Sequence, residues 1–361
     1  MGRAISAVLI LVVAVTLLLP SAALHPAWNQ TVRRLSSKHT HIEWPNLMYA
    51  PKNYPVYKPL LQVLQEWNPD NPDAPNEFKE TLQHFNYSDP IEREIATKFR
   101  EAELPFKVYG VPNINEVVEK WTNEYLSDRL KRDGSIRTER SKNNHFMFWK
   151  RKNYKGFKQP TDYVSMSFDK WVSLAEAADR DKTAAETEHY YFHKSEPMGA
   201  RMSTFVGRDL RDFSTPVDNF FISKVSANKG IQCRFGMRGI IAETHYDSGR
   251  NMVAMLKGSK RYILTPPSTC KYLGIISEVK HPSYRHSVID WSDMNQARAS
   301  RFDQVSSIDT ILRTGEVLYI PSFWFHYIIS LEYSIQCNSR SGPPPSGIGK
   351  QHIQECFDRN I

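Results

Sequence analysis

The second half of the chain is a succession of short β-rich runs, and this restricts the fold more than any other feature. From Tyr190 onward HYYFHK, IQCRFG, RGIIAETHYD, MVAMLKG, KRYILTPP, EVLYIP, FWFHYIISL and EYSIQCN follow one another, punctuated by Gly and Pro. Parallel strands need a crossover of a dozen or more residues, usually a helix, between successive runs. Runs this short, with no helical pattern between them, predict an antiparallel sandwich or barrel.

The first half reads differently. Leu60 to Trp67 and Asn76 to Phe85 carry apolar residues at helical spacing on either side of the breaker cluster NPDNPDAP, which predicts two short helices. Ile91 to Arg100 reads as a third helix leading into LPFKVYGVP, a short strand. Asn115 to Leu130 sets Val117, Val118, Trp121, Tyr125 and Leu126 at helical spacing, an amphipathic helix with Trp121 in the core. HFMFWK reads as a strand, and Ser167 is placed to cap a helix running to Ala178. The run Leu130 to Arg140, LKRDGSIRTER, mixes signs and lacks interleaved aromatics, so it reads as a solvated loop. Despite a net charge of +8, no nucleic-acid partner is expected.

The N-terminus carries Arg3, an apolar run from Ala4 to Leu19, and then Pro20, Ser21, Ala22 and Ala23, small residues that suit a signal peptidase. A signal peptide over 1–23 is expected, cleaved near Ala23 and leaving no stable membrane span; an uncleaved type II anchor is the alternative. Secretory entry, to the endoplasmic reticulum lumen or beyond, gives meaning to the glycosylation sequons at Asn29 and Asn86. The four cysteines, Cys233, Cys270, Cys337 and Cys356, allow three full pairings in an oxidising lumen, and none has zinc-ligand spacing. The expected organisation is 1–23 signal, 24–103 an arm and helices packed on the core, 104–342 the β-rich domain, and 343–361 a tail with a final short helix.

One stretch offers chemistry. Within GIIAETHYDSGRNMVAMLKGSKR, His245 and Asp247 are two apart, and in an extended strand such residues share a face. A distant His326, in GEVLYIPSFWFHYIISL, completes a two-histidine, one-carboxylate triad of the kind that leaves open positions on Fe(II). A His-x-Asp pair alone is cheap in a chain with 12 histidines. Its ordered company is the signal.

THYDSGRNMVAMLKGSKRYILTPP and GEVLYIPSFWFHYIISLEYSIQCN resemble the metal-binding strands of the JmjC, or cupin-like, family of Fe(II)- and 2-oxoglutarate-dependent oxygenases, a likeness extending loosely from Leu104 to Gly342. The resemblance implies a mainly β fold with flanking helices, a double-stranded β-helix or jelly roll, and the cofactors Fe(II) and 2-oxoglutarate. It implies that His245, Asp247 and His326 bind iron and that Lys260 pairs with the far carboxylate of 2-oxoglutarate, where a charge-assisted partner is wanted. Asn251 and Asn338 match asparagines near the cofactor, and Tyr191 matches a tyrosine on the distal carboxylate. Ser334, Gln336 and Asn338 fall on one face of the last strand, which meets either solvent or the cofactor cavity. Where relatives often carry a Ser or Thr hydroxyl, this chain has Ala242; Thr244 would share its face on a regular strand, about 6.6 Å further on. His281 and His286 are expected to order a loop, and His193 is unassigned.

The function implied is hydroxylation of a protein side chain in the secretory pathway, with demethylation through an N-methyl hydroxylation using the same machinery. A lumenal address argues against histones as substrates. The alternative is a catalytically silent JmjC-like lumenal binding or scaffold protein. A sugar-binding or isomerase cupin would want more histidines near the first strand.

Overall fold

The computed structural model describes residues 54–151, 153–182, 187–197, 204–342 and 347–358. The expected signal segment, the sequon at Asn29 and most of the arm lie outside the described residues. The part of the arm that is described starts at Tyr54, a buried ring packed 5.1 Å from Phe99, as an anchoring aromatic should be.

The strands in chain order are β1 (Lys58–Pro59), β2 (His84–Asn86), β3 (Phe106–Tyr109), β4 (Ile136–Ser141), β5 (His145–Phe146), β6 (Asp162–Met166), β7 (His189–Glu196) and β8 (Ile231–Gly236). They continue with β9 (Ile241–Tyr246), β10 (Asn251–Lys257), β11 (Ser259–Thr265), β12 (Ser306–Arg313), β13 (Val317–Ile320), β14 (Phe325–Ser330) and β15 (Ser334–Arg340). The main helices are α1 (Leu60–Glu66), α2 (Pro90–Glu101), α3 (Pro112–Lys120), α4 (Asn123–Lys131), α5 (Phe168–Asp181), α6 (Met294–Ala299) and α7 (Ile348–Asp358). One sheet has the order β1-β12-β11-β14-β9-β5, the other β2-β3-β13-β10-β15-β8-β7-β4-β6. Apart from β2 with β3 and β5 with β9, all pairings are antiparallel, the jelly-roll architecture expected of the sequence. Among the described residues no helix is long and apolar enough to cross a membrane.

Alternation along the strands builds two cores. On β11, Tyr262 and Leu264 point between the sheets, while Ile263 joins Ile311, Tyr327 and Ile329 on the outer face of the smaller sheet. That outer face is covered by Leu60, Val63 and Leu64 of α1, by Ala297 of α6 and by Ile353 of α7. Arg261, on the same outer face, is buried. It forks onto Asp309 at 2.8 and 2.7 Å and donates to the carbonyls of Trp67 and Val63, satisfying groups at the end of α1. On the larger sheet α5, capped by the Ser167 hydroxyl on the Lys170 N–H, lays Trp171 against Phe192 of β7 and Phe235 of β8. Their neighbours Tyr191, His193 and Arg234 therefore face inward, between the sheets.

Several local expectations fail for identifiable reasons. No helix forms over 76–85; the chain there runs extended into β2, because the Lys107 N–H takes the Gln83 carbonyl at 2.8 Å and Phe85 packs on Phe99 and Phe106. The helix expected over 115–130 is two helices, α3 and α4. Trp121 leaves the helical region and anchors its indole on Asp209 at 2.9 Å, while Thr122 caps α4. The solvated loop expected over 130–140 contains strand β4, whose Thr138 and Glu139 are buried. The strand read in HFMFWK is only His145–Phe146. Of the three cysteine pairings, the fold forms Cys233–Cys337, across β8 and β15, and Cys270–Cys356, which ties α7 to the segment after β11. The final short helix expected in the tail is α7.

Candidate functional site

The two sheets enclose a cavity of about 190 Å³, and the proposed ligands converge on it. His245 near the end of β9 stands directly opposite His326 on β14. Between that pair and the pair Ala242 with Ile328, two β9 residues, Glu243 and Thr244, oppose the single residue Tyr327, a β-bulge. The extra residue reverses the alternation, so Ala242 and His245 line the cavity together although three positions apart. Thr244 consequently turns away from the cavity, fully buried and with its hydroxyl unpaired, and it does not replace the hydroxyl missing at Ala242.

The imidazoles are oriented by the main chain. His245 Nδ1 lies 2.8 Å from the Glu243 carbonyl and His326 Nδ1 lies 3.1 Å from the Trp324 carbonyl, so both carry their proton on Nδ1. That leaves two Nε2 lone pairs facing each other across 3.1 Å. Burial, reinforced by His326 and His286, holds His245 well below the ordinary histidine range, and burial also lowers His326, so both rings are neutral. Burial alone would raise the Asp247 carboxyl, but Arg340, the two histidines and Arg285 hold it well below the usual range, as an anion. Its Oδ1 accepts from Arg340 at 2.7 Å and Arg285 at 3.4 Å, while Oδ2 faces His326 Nε2 at 4.0 Å. Ligand atoms of His245, Asp247 and His326 all fall within 4.8 Å of one another. Two neutral imidazoles and a carboxylate, with lone pairs aimed at one point, are a donor set that fits a divalent cation.

The other expected residues separate into groups. Asn338 donates to Asn251 at 2.8 Å, and the Asn251 amide reaches Asp247 Oδ2 at 3.5 Å, so both asparagines stand at the triad. Gln336 and Asn338 line the cavity; that face of β15 meets the interior and not solvent. Tyr191 and Lys260 meet at the far side, with Lys260 Nζ donating to the Tyr191 hydroxyl at 3.2 Å. Tyr191 lines the cavity; Lys260 is fully buried behind it and does not. His286 does more than order its loop, since its ring stacks on His245 with centroids 4.9 Å apart.

Sequence reasoning passed over Arg340, Arg285 and Arg234, all on the cavity wall. Arg340 was within reach, because it continues the row Gln336, Asn338 at the same two-residue spacing. Arg234 gives no such signal, as the face it takes depends on which side of β8 the helix α5 covers.

The profile of the cupin-like domain family matches residues 92–339, more than half the chain. The chain belongs to this family, in its JmjC-like form. Its curated relatives include tRNA wybutosine-synthesizing protein 5 of Gallus gallus, 24% identical over 203 residues, 55% of this chain and 58% of that protein. The Homo sapiens protein of the same name is 32% identical over 130 residues, 35% of this chain and 36% of its own length. Lysine-specific demethylase 8 of Xenopus tropicalis is 32% identical over 105 residues, 29% of this chain and 23% of its own. The match thus spans less than two thirds of each relative.

Proposed function

We propose that this protein is an Fe(II)- and 2-oxoglutarate-dependent oxygenase that hydroxylates a side chain of a protein in the secretory pathway. The observation that carries the reading is the pair of neutral imidazoles whose Nε2 atoms face each other across 3.1 Å beside the Asp247 carboxylate. His245, Asp247 and His326 would hold the metal, while Arg340 fixes the carboxylate through its other oxygen, Oδ1, and Asn251 reaches Oδ2 itself. Bound iron and 2-oxoglutarate would supply the oxidising power that converts a C–H bond to C–OH. Phe146, Val253 and Ile328 on the cavity wall limit water around the triad. A relative named for lysine demethylation supports the related outcome in which the hydroxylated carbon is an N-methyl group.

The compartment rests on the apolar N-terminal run and on two disulfides, which persist in oxidising surroundings. The test is conversion of 2-oxoglutarate to succinate by the purified chain with and without Fe(II), in native protein and in His245→Ala, alongside a 2-oxoglutarate binding titration. Iron-dependent succinate that the variant fails to make is expected. If native protein neither makes succinate nor binds 2-oxoglutarate, the reading is overturned in favour of a silent jelly-roll binding protein, to which Ala242 and the seclusion of Lys260 lend support.

A further inference from the structure

The mouth of the cavity is bordered by a rim that the triad does not use. Phe148 lines the cavity and is still 47% exposed, which places it at the mouth. Its ring stacks on His286 with centroids 6.3 Å apart, and His286 stacks in turn on His245, so a side chain that enters past Phe148 is led toward the triad. Two segments build the rim. The chain after β5 is joined to the loop 276–286 by the Lys150 N–H on the Pro282 carbonyl at 3.1 Å and by the Tyr154 hydroxyl on Glu278. The rings of Tyr154 and Phe157 also stand edge-on to His281, at 4.9 and 5.4 Å.

This rim is basic. From Ser141 to Thr161 the chain holds six Lys or Arg and no Asp or Glu. Lys150, Arg151, Lys155 and Lys158 are all exposed, and among the described residues none of them sits in an ion pair. Glu278, the one acidic residue of the facing loop, is engaged by Tyr154. Cations gathered in this way repel one another, and an anionic partner relieves that repulsion. On the facing loop Val279 is 67% exposed, which adds apolar surface to the charge.

We propose that the rim docks an acidic stretch of a polypeptide substrate, the residue to be modified reaching in past Phe148 while neighbouring Asp or Glu residues lie over Lys150, Arg151, Lys155 and Lys158. The inference deepens the oxygenase reading above and rests on it. Lys150 follows Phe148 by two residues, at most about 7 Å of chain, so a carboxylate two or three residues from the modified one meets the first of these charges. A single-stranded nucleic acid would want several open aromatic faces for successive bases. The rim does not offer them, because Phe148 is stacked on His286, Trp149 packs on Phe157 and Tyr163, and Tyr154 is turned onto His281.

The test is fluorescence anisotropy on the full chain with three labelled probes of equal length: a Glu-Gly repeat peptide, a Lys-Gly repeat peptide and oligouridine. Native protein is expected to bind the Glu-Gly peptide at low salt, more weakly as salt rises, and not the Lys-Gly peptide. Changing Lys150, Arg151, Lys155 and Lys158 together to Gln should weaken that binding by about tenfold, the sum of several modest surface pairings. Phe148→Ala should weaken it severalfold. A charge-matched variant, with Lys131, Arg132, Lys170 and Arg298 on or beside the outer helices α4, α5 and α6 changed to Gln, should bind as native protein does. Equal losses in the two four-residue variants would show that net charge alone is read, and unchanged affinity in Phe148→Ala would place the peptide away from the mouth; either result overturns the inference. So does tighter binding of oligouridine, or no binding of the Glu-Gly peptide by native protein. A 2-oxoglutarate titration of the same native sample separates the two readings: keto acid bound without peptide discrimination overturns this inference alone, whereas peptide discrimination without keto acid binding overturns the oxygenase reading and the substrate role of the rim with it.

Discussion

His245 and His326 stand directly opposite each other on neighbouring strands with their Nε2 atoms 3.1 Å apart and each Nδ1 committed to a main-chain carbonyl. Neither ring can donate to the other, so a cation that takes both lone pairs relieves their repulsion. A divalent metal at about 100 times its Kd should stabilise the fold by about 2.7 kcal/mol, raising Tm by about 4 °C for a chain of this size. A melt with and without Mn(II) checks this, and His245→Ala should show no shift. An equal shift in the variant would place the metal elsewhere.

The contact from Arg340 to Asp247 Oδ1 leaves Oδ2 facing the histidines. Groups that orient a metal-bound carboxylate commonly alter metal affinity by 10–100-fold, so Arg340→Gln should weaken Mn(II) binding by about tenfold. Competition against a chelator measures it. Arg285, at 3.4 Å from the same oxygen, is the more distant partner, and Arg285→Gln should cost less.

The triad was legible because its strands carry a motif in order, and two-residue spacing survives in the row Gln336, Asn338, Arg340. The β9 bulge was not legible, since Glu243 and Thr244 are ordinary strand residues and only their pairing against Tyr327 reveals the extra one. Residues 76–85 keep a helical spacing, yet parallel pairing of β2 with β3 takes the end of that run, from His84, into a strand. Arg234 in IQCRFG looks like a solvated strand position until α5 is known to cover the Phe235 face of the sheet. Propensity reports local preference; which face is interior is a property of sheets stacked from distant segments.

His145 gives the fold a pH dependence of definite sign. Burial alone would lower it, but Asp70 and Glu243, with Asp290 nearby, raise it to about 10 from the ordinary 6.5. A raised histidine stabilises the fold fully below pH 6.5, and that contribution is lost as pH rises toward 10. Melts at pH 7 and pH 10 should therefore show native protein losing about 3 °C more than His145→Gln. Parallel losses in the two proteins would mean that this cluster does not hold a proton at neutral pH.

Arg261 and Asp309 test the outer core. The guanidinium is almost wholly buried, forks onto the carboxylate, and also caps carbonyls at the end of α1 with its ring of contacts closed by Trp67, 4.1 Å below it. Arg261→Ala would leave Asp309 buried without its partner, the carbonyls unpaired and a void beside the indole. Breaking such a pair from one side costs about 3–5 kcal/mol, whereas replacing both partners with apolar residues of similar size is often close to neutral. Urea unfolding should therefore show Arg261→Met to be less stable than Arg261→Met combined with Asp309→Leu. Part of the loss should persist in the double variant, because the Trp67 and Val63 carbonyls remain without their donor in both. Equal midpoints for the single and double variants would show that the orphaned carboxylate adds nothing, and that Arg261 acts on α1 alone.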